Sequence, residues 1–251
     1  MGNSRNLLFE ICCCYNTQFI HSSTDMKKYQ KEFAEFLIDE RALQFGRFEL
    51  KSGRISPYFF NTSAFNSGNT VEKLGYFYAE TILRHLPSCT SVFGPAYKGI
   101  PLCLSSAIAL FHLSKKDIGY FFDRKEKKAH GDQGLLVGKI PLKTEVIALV
   151  DDVITDGQTK IEAIEKLKNW FGLRVSTVFV AFDRLEKNDD GIKASQAFSE
   201  KTGIPVHTII TIYDVLSLLK EESFKDTDQM PKSSVEEIES YLKVYSNLNS
   251  A

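Results

Sequence analysis

Residues 146–159, VIALVDDVITDGQT, constrain this chain more than any other stretch. Val146 to Val150 are apolar and partly β-branched, the composition of a strand covered on both faces in a parallel sheet. Asp151 and Asp152 follow at once, where the carboxyl end of such a strand opens into a crevice. Thr155, Asp156, Gly157, Gln158 and Thr159 then lead into the helical pattern Ile161, Ile164, Leu167. A strand, a tight polar loop and a helix N-terminus bring backbone N–H groups and the positive end of the helix dipole to one point, which suits an anion. Two carboxylates beside that cradle suit sugar hydroxyls or a hydrated cation. Taken alone, the segment also fits a helix cap and an Asp156-Gly157 turn, so the rest of the chain has to decide.

The surrounding periodicities alternate. Tyr29, Phe33, Phe36, Leu37 and Leu43 predict a helix over 28–44. Residues 46–62 read as a hairpin with turn signals at Ser52-Gly53 and Ser56-Pro57. A helix over 70–86, a short strand at 91–93 and an apolar helix over 99–112 follow. Then come a strand at 118–122, a polar basic loop at 124–137 and the central strand at 145–150. A helix over 158–171, a strand at 175–182, a polar loop and helix, and a last strand at 206–212 complete the alternation. A polar linker at 221–232 precedes a C-terminal helix over 234–245. Such alternation predicts an α/β fold: one domain over 26–251, with a mainly parallel central sheet, helices on both faces and a small N-terminal subdomain at about 28–65.

At 251 residues and 43% hydrophobic, the chain can bury one full core. A net charge of −1 argues against a nucleic-acid or membrane-surface binder. The five cysteines are odd in number, Cys12, Cys13 and Cys14 are consecutive, and no C-x-x-C occurs. Neither a disulfide framework nor a zinc site is expected, which points to a reducing cytoplasm. Residues 1–25 differ from the rest. Leu7-Leu8-Phe9 is broken by Glu10, too short an apolar run for a signal peptide or a membrane span, and Asn6 weakens a lipidation signal at Gly2. Met26, followed by Lys27-Lys28, is the expected start of the domain. The preceding segment is read as a disordered extension or as sequence upstream of the true start.

Four further segments carry chemistry. FELKSGRISPYFFN at 48–61 sets Lys51 beside a glycine turn, with Phe59 and Phe60 after it. VFGPAYKGIP at 92–101 is a strand and a short loop in which glycine admits close backbone approach to a phosphate and Lys98 adds a point charge. DRKEKKAHGDQG at 123–134 is a basic run, ordinarily a solvated loop, that could close over an anionic substrate and neutralise a leaving group. Arg184 follows the strand at 175–182, a position where an arginine is more often structural or exposed.

In this order, these segments resemble the orotate phosphoribosyltransferases, the bacterial form in particular, from Met26 to about residue 220. The resemblance implies the type I phosphoribosyltransferase fold with an N-terminal hood. It implies transfer of a phosphoribosyl group from phosphoribosyl diphosphate (PRPP) to orotate in de novo pyrimidine (UMP) biosynthesis. Asp151 and Asp152 would then hold the ribose hydroxyls, and Val153, Ile154, Thr155, Asp156, Gly157, Gln158 and Thr159 would hold the 5-phosphate. Tyr97 and Lys98 would contact the pyrophosphate, and Lys51 would sit at both substrates. Orotate would be lined by Lys51, Phe59, Phe60, Thr155 and Arg184. Arg124, Lys128 and His130 of the mobile loop would complete the partner subunit's site, Lys125 its own, so that a homodimer is part of the mechanism. Nothing in the sequence fixes the protonation state of His130, which could also be idle. Mg2+ would be carried mostly by substrate oxygens and water near Asp151 and Asp152, without direct protein ligands. Lys98, Arg124, Lys128, His130, Asp151 and Asp152 are the expected catalytic residues.

Thr155 stands where purine enzymes of this fold usually carry an acid for the ring nitrogen, which favours a pyrimidine. Two other readings stay open: a phosphoribosyltransferase for another base, and a non-catalytic regulator that keeps the fold to bind nucleotides or RNA. The chain departs from the family pattern at Asp156, where a small residue is usual, and at Gln158, usually Thr or Ser. Ala129 replaces a frequent acid. Asp156 sets a carboxylate beside a loop meant for a phosphate, so Asp156→Ala is expected to lower the KM for PRPP; an unchanged or higher KM refutes this. Removing residues 1–25 is expected to leave activity intact, and an inactive or insoluble product would show the segment to be part of the fold.

Overall fold

A computed structural model describes residues 23–50, 52–125, 134–155, 157–188, 190–220 and 234–246. The chain opens with helix α1 (Ser23–Asp39) and the hairpin β1 (Leu43–Glu49) and β2 (Ile55–Phe60). Helix α2 (Gly68–His85), β3 (Ser91–Phe93), α3 (Gly99–Ser114), β4 (Gly119–Asp123) and β5 (Leu136–Gly138) follow. Next come β6 (Ile147–Val153), α4 (Gln158–Lys166), β7 (Val175–Asp183), α5 (Ala194–Thr202), β8 (Val206–Thr211), α6 (Ile212–Leu219) and α7 (Ser234–Tyr245). None of the described helices is long and apolar enough to cross a membrane.

The main sheet has the order β5-β4-β3-β6-β7-β8, parallel throughout except for β4 with β5. The chain moves outward one way from β3 to β4 and β5, then returns to β6 and moves out the other way. The strand order therefore reverses between β3 and β6, and the carboxyl ends of these two strands flank the crevice where ligands bind in open α/β sheets.

Alternating side chains feed two cores. Ala148, Val150, Phe179 and Ala181 pack with α1, α2, α3, α6 and α7, while Ile147, Leu149, Val178 and Val180 pack with α4 and α5. Both faces of β6 are thus dry, which is why its sequence is a continuous apolar run. Each fully buried Ile, Leu, Val or Phe side chain among them contributes roughly 1.5–3 kcal/mol of burial.

The structure corrects the sequence reading in several places. The helix expected over 28–44 stops at Asp39, because Arg41 takes a left-handed φ of 55°, and Leu43 enters β1 instead. Strand β6 continues through Asp151 and Asp152 to Val153, since Asp151 still pairs with Val180 and Val153 with Phe182. Both acids are therefore inside the strand. The loop read at 124–137 ends in the three-residue strand β5, too short to leave a periodic signal. Helix α4 gives way at Leu167 to a π-turn that runs to Phe171. The apolar run after residue 206 hides a boundary: Thr211 and Asp214 form a reciprocal capping box that starts α6.

On the α2 side, His85 stacks on His207 of β8 with ring centroids 4.0 Å apart. Partial burial lowers both pKa values below the ordinary 6.5, helped by the charge of Arg84 at His85 and by His85 at His207. The unfolded chain then binds more protons below about pH 6.5. Stability is fully present above that value and is lost as pH falls through the depressed folded values. Replacement of His207 by Phe is expected to flatten the profile of Tm against pH between about 7 and 5; equal slopes in the two proteins would show that the pair does not titrate in this window.

Candidate active site

The acid pair occupies the last turns of the pleat in β6, and each carboxylate is held differently. Asp151 accepts the Asp152 backbone N–H at 3.0 Å through Oδ1 and pairs with Lys160 Nζ at 2.6 Å through Oδ2. Its carbonyl accepts the buried Tyr78 hydroxyl at 2.6 Å. Asp152 accepts the Val153 N–H at 2.8 Å through Oδ1, while Oδ2 takes Lys98 Nζ at 2.8 Å and Thr62 Oγ1 at 3.1 Å. Burial works against the Asp152 charge, but the hydrogen bond and charge of Lys98, the Val153 N–H and the charge of Lys160 outweigh it. They hold its pKa below the ordinary carboxylate value.

Lys98 arrives from the other side of the crevice. The loop after β3 folds so tightly that a Cβ on Gly94 would lie 2.0 Å from the Gly99 carbonyl oxygen. No side chain larger than hydrogen fits there, and the turn presents Tyr97 outward with Lys98 over Asp152. The Ala96 N–H is fixed at 2.8 Å by Asp123 at the end of β4. A cavity of about 140 Å³ lies beside this pair, lined by Thr62, Phe65, Leu74, Pro101, Lys98 and Asp152 among others.

Past β6, Ile154 is buried and Thr155 exposed. Gly157 has φ 70°, and a Cβ there would lie 2.7 Å from the Phe198 ring, so both conformation and space demand glycine. The N-cap of α4 is Gly157, which has no side chain with which to cap it. The N–H groups of its first turn, at Gln158, Thr159 and Lys160, precede the first helical bond, Ile161 N–H to Gly157 O at 3.0 Å. They point out of the helix start, where the positive end of the dipole suits a phosphate.

The relatives of the chain decide the family. It is 42% identical over 230 residues to the orotate phosphoribosyltransferase of Chromohalobacter salexigens, covering 89% of this chain and 97% of that one. The chain belongs to the orotate phosphoribosyltransferase family. The Methylococcus capsulatus orotate phosphoribosyltransferase is 45% identical over 195 residues, covering 78% and 90%. The crystal structure of the Francisella tularensis orotate phosphoribosyltransferase matches with a TM-score of 0.73 at 33% identity, over 86% of this chain and 100% of that one. No protein-family model matches the chain. The architecture is that of the type I phosphoribosyltransferases, with the β1–β2 hairpin as hood.

Within this orotate phosphoribosyltransferase frame, the hood stands over the ends of β6 and β7. Phe60 stacks on Phe182 at 5.2 Å, on the same face of β2 as buried Ser56 and Tyr58. Phe59 lies on the opposite face, exposed and stacked on Phe48 at 5.5 Å. Strand alternation therefore sends the two adjacent rings to different sides of the hairpin. Arg184 is buried beneath the hood. Its Nε donates to Glu186 Oε1 at 2.7 Å, its Nη2 to Ser56 Oγ at 2.9 Å, and its guanidinium lies 4.2 Å above the Tyr58 ring. Burial opposes its charge, yet Tyr58 and Glu186 outweigh that and raise its pKa above the ordinary value. Glu186 also accepts the Tyr241 hydroxyl at 2.8 Å and Arg54 at 3.5 Å.

The structure thus gathers Lys98, Asp151, Asp152, Thr155 and the start of α4 around one crevice. Lys125 stands beside it, with Nζ 5.2 Å from the Tyr97 ring centre. Arg124 follows β4 with its N–H on Leu135 O at 2.8 Å, and its buried Nε has no partner among the described residues. Lys51, Lys128, His130 and Asp156 lie outside the described residues. Sequence reasoning missed Lys160, Thr62, Glu186 and Tyr241. A lysine in the first turn of α4 was the available sign of the first, because cations are disfavoured at that end of a helix.

Proposed function

We infer that this enzyme moves the phosphoribosyl group of PRPP onto orotate, giving orotidine 5-monophosphate and pyrophosphate in UMP synthesis. The observation that carries the reading is the Lys98–Asp152 pair across the β3/β6 crevice, next to the glycine-capped start of α4. One end of this arrangement suits a sugar phosphate and the other a pyrophosphate. The bond from the ribose C1 to the pyrophosphate oxygen breaks as the bond from C1 to the orotate ring nitrogen forms. The electron pair leaves with pyrophosphate, and the ring nitrogen gives up its proton to water. C1 becomes oxocarbenium-like, and the acid pair stabilises it, Asp152 meeting the sugar and Asp151 behind it in the strand. Lys98 exchanges its bond to Asp152 for the departing phosphates. No covalent nucleophile is required.

Among the described residues, no cluster of three or more metal-binding side chains exists. Mg2+ would be held mainly by PRPP oxygens and water near Asp151 and Asp152, a donor set that suits this ion. When bound, Mg2+ supplies charge neutralisation of the leaving group.

A second copy of the chain completes the proposal. Leu104, Ile108 and Phe111 form an exposed apolar stripe along α3, with the i, i+4, i+7 spacing of a helix that packs against a partner. A homodimer through this stripe would bring Arg124, Lys128 and His130 of one protomer to the other's crevice, while Lys125 serves its own. Orotate, planar and carrying a carboxylate, suits the hood aromatics, Lys51, Thr155 and the Arg184 guanidinium. A cytoplasmic location accords with Cys89 and Cys103, unpaired thiols whose burial pushes their pKa up to about 11 and about 12.

Incubation with PRPP and Mg2+ in the presence of orotate, uracil or hypoxanthine, followed by absorbance, tests the substrate. Magnesium-dependent loss is expected with orotate alone. Turnover of another base would keep the fold and replace the acceptor, and PRPP binding without any turnover would point to the regulator.

A further inference from the structure

Lys160 occupies a position that costs free energy on two counts. It lies in the first turn of α4, beside the positive end of the helix dipole. It is also buried, with its side chain 6% exposed, where an ammonium group loses its hydration. Two acceptors offset this. Nζ lies 2.6 Å from Asp151 Oδ2 and donates to the Val153 carbonyl at 2.6 Å, so one side chain ties the start of α4 back to the end of β6.

The contrast with Lys98 gives the arrangement its meaning. Lys98 pairs with Asp152 from a side chain that is 68% exposed and can turn away without leaving water. Lys160 has no such freedom. Asp151 has both oxygens committed inside the protein, whereas the second oxygen of Asp152 is held from the crevice by Lys98 and Thr62.

We propose that Lys160 is a positioning residue: a fixed countercharge that cancels Asp151 and shapes the phosphate loop, leaving Asp152 as the acid that meets the substrate. Two uncompensated carboxylates would repel a ligand as anionic as PRPP. With Lys160 in place, the buried acid–base pair is neutral, and the release of Lys98 exposes one negative charge at the sugar. The inference rests on the proposed reading for the identity of the sugar phosphate.

PRPP binding measured by calorimetry with Mg2+ tests it, beside steady-state kinetics for both substrates and Tm as a check on folding. Lys160→Met is expected to weaken PRPP binding ~tenfold, while the KM for orotate stays within about twofold. Lys160→Arg, which keeps the charge, is expected to hold the PRPP Kd near that of the parent. An unchanged PRPP Kd in Lys160→Met overturns the proposal, as does an equal loss in Lys160→Arg or a parallel rise in both KM values. Should Lys160→Met fail to fold, Lys160→Gln keeps a donor for Asp151 and undergoes the same comparison. A parent protein that binds PRPP but consumes no orotate would end the orotate reading, and the Kd comparison would still decide the role of Lys160.

Discussion

Burial of β6 on both faces is the constraint from which the rest of the site follows. A strand packed between two apolar cores can carry charge only where the helices on either side fall away, which is at its carboxyl end. There Asp151 and Asp152 keep their place in the ladder with β7, so their backbone geometry is set by the sheet. Their side chains then point to opposite sides of the pleat and meet different cations, one from α4 and one from the loop after β3. The reversal of strand order beside β6 opens the space between those cations. Position, charge balance and access thus all derive from one packed strand.

Much of this was legible in the sequence because the signals were local. The apolar run before Asp151 and the alternation of helical and extended periods gave a parallel α/β sheet. Gly157 and the polar residues around it marked a tight turn into a helix, and the left-handed φ and the ring of Phe198 explain why. The C-terminal helix at 234–245 was placed residue for residue. The unread parts depend on tertiary context. Leu43 continues a helical stripe on paper, but the backbone reverses at Arg41 and uses it in a strand. Asp151 reads as the residue after a strand, yet β7 is long enough to keep pairing with it. Thr62 and Glu186 carry no motif of their own, and they matter because Asp152 and Arg184 come to rest beside them.

The hood shows how a buried charge is kept useful. Glu186 collects Arg184, Arg54 and the Tyr241 hydroxyl, and the Tyr58 ring covers the guanidinium from the other side. A buried arginine without such partners would cost several kcal/mol, and removal of one partner would leave the others uncompensated. The hairpin, the segment after β7 and the last helix are therefore held as one unit, although they are distant in sequence.

Tyr241 and Tyr245 give α7 a role beyond closing the chain. The first bonds Glu186 and meets the Tyr58 ring edge-on at 5.9 Å, and the second lies under Arg54 at 5.0 Å. In binding terms, α7 is a tethered ligand of the hood. Its docking is intramolecular, set by an effective concentration rather than by that of the protein, and is insensitive to dilution. A free peptide carrying residues 234–246 would compete with it only above that concentration. The hood of this enzyme is thus sealed in cis, whatever the state of association of the chain.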